Sequence, residues 1–115
     1  MNHHKKTRKF GRVKKVRDAL LKSLALALIT NGKIKTTDAK ARELRPFAEK
    51  LITTGKIGTV ASQRSLVAKI GSMGTKKIIK DWSPKYADRS GGYTRITKLQ
   101  ARVSDGSLMA VIEFV

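Results

Sequence analysis

The chain contains no cysteine. Disulfides, thiolate nucleophiles and the usual cysteine-built zinc sites are therefore excluded, and a fold without disulfides suits an intracellular setting. Acid is scarce. Eight aspartates and glutamates stand against 26 lysines and arginines, giving a net charge of +18. A chain so charged repels itself when compact and works best beside a neutralising partner. Histidine is confined to His3 and His4. Nothing near them can orient a catalytic imidazole, and their cationic neighbours would repel a metal. Long apolar runs are missing as well. The longest, Leu24 to Ile29, has six residues, against the ~20 needed to span a bilayer. The basic start leads to neither an apolar core nor a small-residue cleavage site, so no secretory signal is expected. It also differs from the serine-rich, amphipathic pattern of a transit peptide.

What is present is concentrated at the start. Residues 1–17 hold five lysines, three arginines, two histidines and no acid. Phe10, Val13 and Val16 are the only large apolar side chains there besides the initiator, too few to offset the entropy of ordering the segment. Such a stretch suits a phosphate backbone, from which its cations release condensed counterions. A solubilising tail is the competing reading. Charge is unevenly spread beyond it: five bases and no acid in residues 57–80, but five against four in residues 81–115. The expected organisation is a basic, polyanion-binding extension, residues 1–15, and a single α+β domain, residues 16–115.

Apolar spacing predicts a helix over residues 13–30, with Val16, Leu20, Leu24 and Leu28 on one row and Leu21 and Ala25 widening it. Asn31-Gly32 supplies its left-handed stop. Lys14, Lys15, Arg17 and Lys22 crowd its first turns, where positive charge opposes the helix dipole. Adjacent phosphates would remove that conflict. Lys33 to Thr36 reads as a short strand, and Thr36 or Thr37 as the cap of a second helix with Asp38 in its first turn. Its stripe is Ala41, Leu44, Phe47, Ala48, Leu51 and Ile52. Pro46 should kink it, and Gly55 and Gly58 should end it. A third helix, residues 59–70, is expected to bury Val60, Leu66, Val67 and Ile70. A break over residues 72–75 precedes a short fourth helix that stops at Trp82, before Ser83-Pro84.

The remainder reads as β. Residues 93–103 are rich in β-branched and aromatic side chains, with an alternation slip that a bulge would explain. Asp105-Gly106 signals a tight hairpin. Residues 108–115, mostly apolar, predict a well-covered strand. The fold class is therefore α+β: a small sheet of about three strands packed by three to four helices, with a basic N-terminal extension.

Chemistry for catalysis is thin. Asp38, Glu43 and Glu49 share a helix, but as dipole compensation and surface ion pairs rather than a paired acid and base. Residues 88–93 resemble a phosphate loop, yet lack the lysine and following helix of one. Gly91 and Gly92 could still let backbone approach a nucleic-acid phosphate. Tyr86, Arg89, Tyr93 and Arg95 surround that turn, an interleaving that suits stacking and phosphate contact on RNA. A tight turn with ordinary sheet tyrosines is the equal alternative. Trp82 follows Ile78 and Ile79 at helical spacing and reads as core.

Several ordered blocks carry a resemblance. They are residues 3–12, Leu20-Leu21 with Leu24-Ala25 and Leu28-Ile29, residues 34–37, 39–46 and 48–53, the block from Tyr86 to Ile96, and the end from Met109 to Val115. Together they resemble the bacterial large-subunit ribosomal protein family numbered seventeen, nearly end to end. Asn2 and Ser90 depart from its usual arginine and asparagine. The resemblance implies a structural protein of the cytoplasmic ribosome, without a cofactor, a small-molecule substrate or a membrane. It implies binding to large-subunit ribosomal RNA, near the nascent-chain exit, beside proteins similar to large-subunit proteins twenty-two and thirty-two. The family's basic extension maps onto residues 2–17. The candidate nucleic-acid-binding residues are thus His3, His4, Lys5, Lys6, Arg8, Lys9, Arg12, Lys14, Lys15 and Arg17, with Tyr86, Arg89, Gly91, Gly92, Tyr93 and Arg95.

Two other classes compete. A DNA-binding architectural or regulatory protein accounts for the charge, but needs a recognition helix or a minor-groove arm. The third helix offers only Gln63, Arg64 and Lys69. A phosphate-chemistry enzyme needs an ordered acid, base or metal site, which the sequence does not supply.

Overall fold

The computed structural model describes residues 14–115. Helix α1 spans Lys14–Asn31, strand β1 Lys33–Thr37, helix α2 Asp38–Ile57 and helix α3 Val60–Lys77. A π-helical turn, Ile78–Trp82, leads into a single turn, α4, Ser83–Lys85. Strands β2, Thr94–Lys98, and β3, Met109–Phe114, complete the order. The sheet runs β1-β3-β2 and is antiparallel throughout, so the last strand is its centre. The expected α+β class, with three strands, is what the chain adopts.

Burial alternates along β3. Ala110, Ile112 and Phe114 face the helices, whereas Val111 and Glu113 lie on the other face and are half-buried. That period of two is the pleat of a strand packed on one side. α1 and α2 cover the inner face, and α3 packs on both of them. The core joins Leu28 and Ile29 of α1, Leu44, Leu51 and Ile52 of α2, Leu66 and Ile70 of α3, and Ile112 of β3, all essentially inaccessible.

α1 enters the core only at its C-terminal end. Ala25, Leu28 and Ile29 are buried and Leu24 packs against the cluster half-buried, but Val16 is 49% exposed. The expected row therefore runs off the end of the core, because α1 projects beyond the elements it packs on. Gly32 (φ 81°) stops the helix as its Asn-Gly signal requires, and its carbonyl then accepts from the Phe114 N–H at 3.0 Å.

α2 begins at the Thr37 cap, whose hydroxyl accepts from the Lys40 N–H at 3.3 Å. α2 runs through Pro46 and also through Gly55, which does not end the helix. Gly58, at φ 75°, does. Gly55 serves packing instead. A Cβ there would lie 2.4 Å from Ser83 Oγ and 2.6 Å from Ile78 Cγ2.

α3 differs from expectation in three ways. Val60 and Val67 are exposed, while Leu66 and Ile70 are buried. The break falls at Gly71 (φ 82°, ψ 174°), one residue before the expected stretch. Helical structure also continues past Trp82 through Ser83-Pro84, because a proline in the first helical turn lacks only an N–H that would have no partner there. Trp82 is held as core: its indole N–H donates to the Ile29 carbonyl at 2.9 Å, and its ring lies 4.4 Å from that of Phe114.

The β end is shorter than expected. β2 stops at Lys98, and residues 99–108 form a connection rather than a two-residue hairpin. Arg102 closes that connection by a two-point pair with Asp105, at 3.0 and 2.7 Å, while the Gly106 N–H donates to the Arg102 carbonyl. The Asp-Gly signal marks this inner turn and not the ladder, whose last bond runs from the Leu99 N–H to the Met109 carbonyl.

Candidate nucleic-acid interface

His3, His4, Lys5, Lys6, Arg8, Lys9 and Arg12 lie outside the described residues. Lys14 and Lys15 lie in the first described turn of α1, which holds no acid. Both are exposed, and Arg17 is half-buried. Lys14, Lys15 and Arg17 therefore make this part of α1 strongly cationic. This end of the molecule attracts anions.

The second candidate is the loop before β2. Arg89 is exposed, and its guanidinium Nε donates to the Gly91 carbonyl at 3.2 Å. Gly92 has φ 64°, a left-handed conformation that glycine adopts without strain, and no atom lies within 4 Å of where its Cβ would stand. Arg95 projects from β2 and pairs with Glu113 across the ladder at 2.7 Å. Tyr86 and Tyr93 are not on this surface: they are 3% and 1% exposed. Their rings meet each other at 5.1 Å, and the Tyr86 hydroxyl donates to the Val115 carbonyl. A buried ring has no face to give a base. The alternative of sheet and core tyrosines holds for both, and the stacking role expected of them is withdrawn.

Both tyrosines shape the loop from below. Lys56, from the last turn of α2, reaches the Tyr93 hydroxyl at 3.0 Å and the Arg89 carbonyl, and Tyr93 donates to the same carbonyl at 3.2 Å. Hydrogen bonds from Thr53 and Lys56 hold the Tyr93 hydroxyl below the ordinary tyrosine range, while burial pushes Tyr86 up, opposed by Arg89.

Acids among the described residues are largely engaged within the chain. The pairs are Arg42–Asp38, Arg45–Glu49, Lys77–Asp81, Arg95–Glu113 and Arg102–Asp105. Exposed pairs of this kind add little stability, but they leave the rest of the cations to define the field. Two of those, Lys33 and Lys35 of β1, were not among the expected contacts and both are exposed. The lysine–apolar alternation of Lys33-Ile34-Lys35 was the available signal, since period two puts both lysines on one face.

Among the described residues no three His, Asp or Glu side chains gather to hold a metal, and no helix is long and apolar enough to cross a membrane. An open groove of about 380 Å³ beside α1 is lined by Leu21, Phe47 and Ala68, with Asp18, Lys22 and Lys69 around them. It brings no acid–base pair together.

A family model described as Ribosomal protein L17 matches residues 20–115. The chain belongs to that family. Relatives named large ribosomal subunit protein bL17 are similar over all of this chain. The one from Nautilia profundicola is 46% identical over 120 residues, covering 98% of its own length. Those from Persephonella marina and Fusobacterium nucleatum are 48% and 47% identical, covering 95% and 100% of theirs. The resemblance read from the residue blocks is thereby borne out, and the family is one of structural, non-enzymatic ribosomal components.

Proposed function

We propose that the chain is a structural constituent of the large subunit of the cytoplasmic ribosome and binds ribosomal RNA through its polybasic start and the cationic first turn of α1. The observation that carries this is continuity of charge: residues 1–17 hold eight lysines and arginines and no acid, and the last of them, Lys14, Lys15 and Arg17, lie on α1. The names of the relatives support the large subunit as the setting. Arg89 and the Gly91-Gly92 backbone form a second contact, held in shape by Lys56 and Tyr93. Arg95 adds to it where Glu113 does not hold it. Proteins similar to large-subunit proteins twenty-two and thirty-two are the neighbours that the family implies. The DNA-binding alternative gains nothing from α3, which breaks at Gly71.

The test is salt dependence. Full-length protein is bound to purified large-subunit ribosomal RNA over a range of salt. Neutralising Lys5, Lys6, Arg8, Lys9 and Arg12 to glutamine should flatten the slope of log affinity against log salt by roughly 3.5–4.5, at ~0.7–0.9 per phosphate contact. An unchanged slope would remove the start of the chain from the interface.

A further inference from the structure

The helices cover one face of the sheet and leave the other open. On that face the strand register sets Lys33 opposite Glu113 and Glu113 opposite Arg95. One step along, Lys35 stands opposite Val111, and Val111 opposite Thr97. Lys33, Lys35, Arg95 and Thr97 are exposed. Glu113 is the one acid on these two rows, and its carboxylate turns to Arg95, which it meets through two hydrogen bonds at 3.1 and 2.7 Å. The β2 side of the face is thus neutralised. On the β1 side Lys33 attracts the same carboxylate from the opposite strand without meeting it in an ion pair, and Lys35 is in no ion pair among the described residues. They stand about 7 Å apart, two residues along a strand, on a rigid ladder at the sheet edge.

We infer that the open face of the sheet is a further RNA-binding surface, on which Lys33 and Lys35 contact successive backbone phosphates while Glu113 holds Arg95 back. This rests on the ribosomal reading above and adds a surface on β1 to the contacts proposed there. Charge complementarity selects the occupant. A polyanion can meet both exposed lysines at once, and the strand backbone fixes the spacing of their Cα atoms. Val111, at the middle of the second row, offers apolar surface to a sugar. The competing explanation is that edge lysines merely prevent strands of two molecules from pairing.

Full-length protein and purified large-subunit ribosomal RNA test it. Lys33→Gln with Lys35→Gln should flatten the salt slope by roughly 1.4–1.8, two phosphate contacts. Lys33→Arg with Lys35→Arg should keep it. Glu113→Gln should steepen it by about 0.7–0.9 as Arg95 is released. If the wild-type protein shows no salt-dependent binding, the ribosomal reading itself fails. If the wild type binds and the glutamine pair keeps its affinity and slope, this face is not an RNA contact. Self-association of the glutamine pair at an unchanged slope would establish edge protection instead. Loss of assembly with subunit proteins at an unchanged slope would establish a protein contact. Either outcome overturns the proposal. Should the glutamine pair fail to fold, Lys33→Gln and Lys35→Gln singly decide: each should flatten the slope by about 0.7–0.9, and an unchanged slope in both overturns the proposal.

Discussion

The ammonium of Lys56 lies 3.0 Å from the hydroxyl of Tyr93, 37 residues further along the chain. It also sits 5.2 Å from the centroid of that ring and bonds the Arg89 carbonyl. One lysine therefore joins the end of α2, the loop at Arg89 and the residue preceding β2. Its charge serves the shape of the loop rather than the surface.

The two tyrosines should separate in an alkaline titration followed by tyrosinate absorbance. Tyr93, lowered by the Thr53 hydrogen bond and then by Lys56, ionises before the ordinary value of about 10. Tyr86, raised by burial, ionises after it. Tyr93→Phe should abolish the earlier step only. The linkage signs are opposite. The Tyr86 contribution to stability is complete below the unfolded value and is lost as pH rises through the folded one. The Tyr93 contribution exists above the unfolded value and is lost as pH falls through the folded one, so it is absent at neutral pH. A single joint step would contradict this.

Gly55→Ala should destabilise the protein, although alanine is the better helix former by roughly 1 kcal/mol. The added methyl meets Ser83 Oγ and the fully buried Ile78. Overpacking of this kind costs about 1–3 kcal/mol, so urea denaturation should show a lower midpoint. A higher midpoint would mean that the α2 and α4 contact is looser than described.

Along α1, truncation costs should rise towards the C-terminus. Leu28→Ala removes a side chain with no exposed surface and should cost roughly 2–5 kcal/mol. Leu24→Ala should cost less, since Leu24 is only half-buried. Val16→Ala should stay within about 0.5 kcal/mol, as exposed changes do. Equal costs at the three positions would require a core that extends along the whole helix.

In the Arg89 loop, fold and binding should come apart. Arg89→Ala removes an exposed guanidinium and should leave the melting temperature nearly unchanged while weakening incorporation into large subunits. Gly92→Val forces a β-branched residue to φ 64° and should cost about 1–3 kcal/mol as well as incorporation. If Arg89→Ala with Arg95→Ala leaves incorporation unchanged, the loop is structural and the N-terminal cations carry recognition.

Local signals determined much of this protein. The Asn-Gly stop after α1, a threonine cap at residue 36 or 37, the α2 stripe and the apolar last strand all act over a few residues, so sequence alone placed them. The ordered blocks from residue 3 to the end also identified the family. Tertiary structure decided what depends on distant neighbours. Apolar spacing marks a face of α1 or α3 but not how far the neighbouring elements extend, and so Val16, Val60 and Val67 read as core and are exposed. Gly55 reads as a helix stop because the sequence cannot show Ser83 and Ile78 packed against it. Tyr93 stands between Arg89 and Arg95 in the chain and Tyr86 just before them, yet both rings are buried. The reason is common to all: helix caps and turns are satisfied by adjacent atoms, whereas burial is set by whatever the rest of the chain brings alongside.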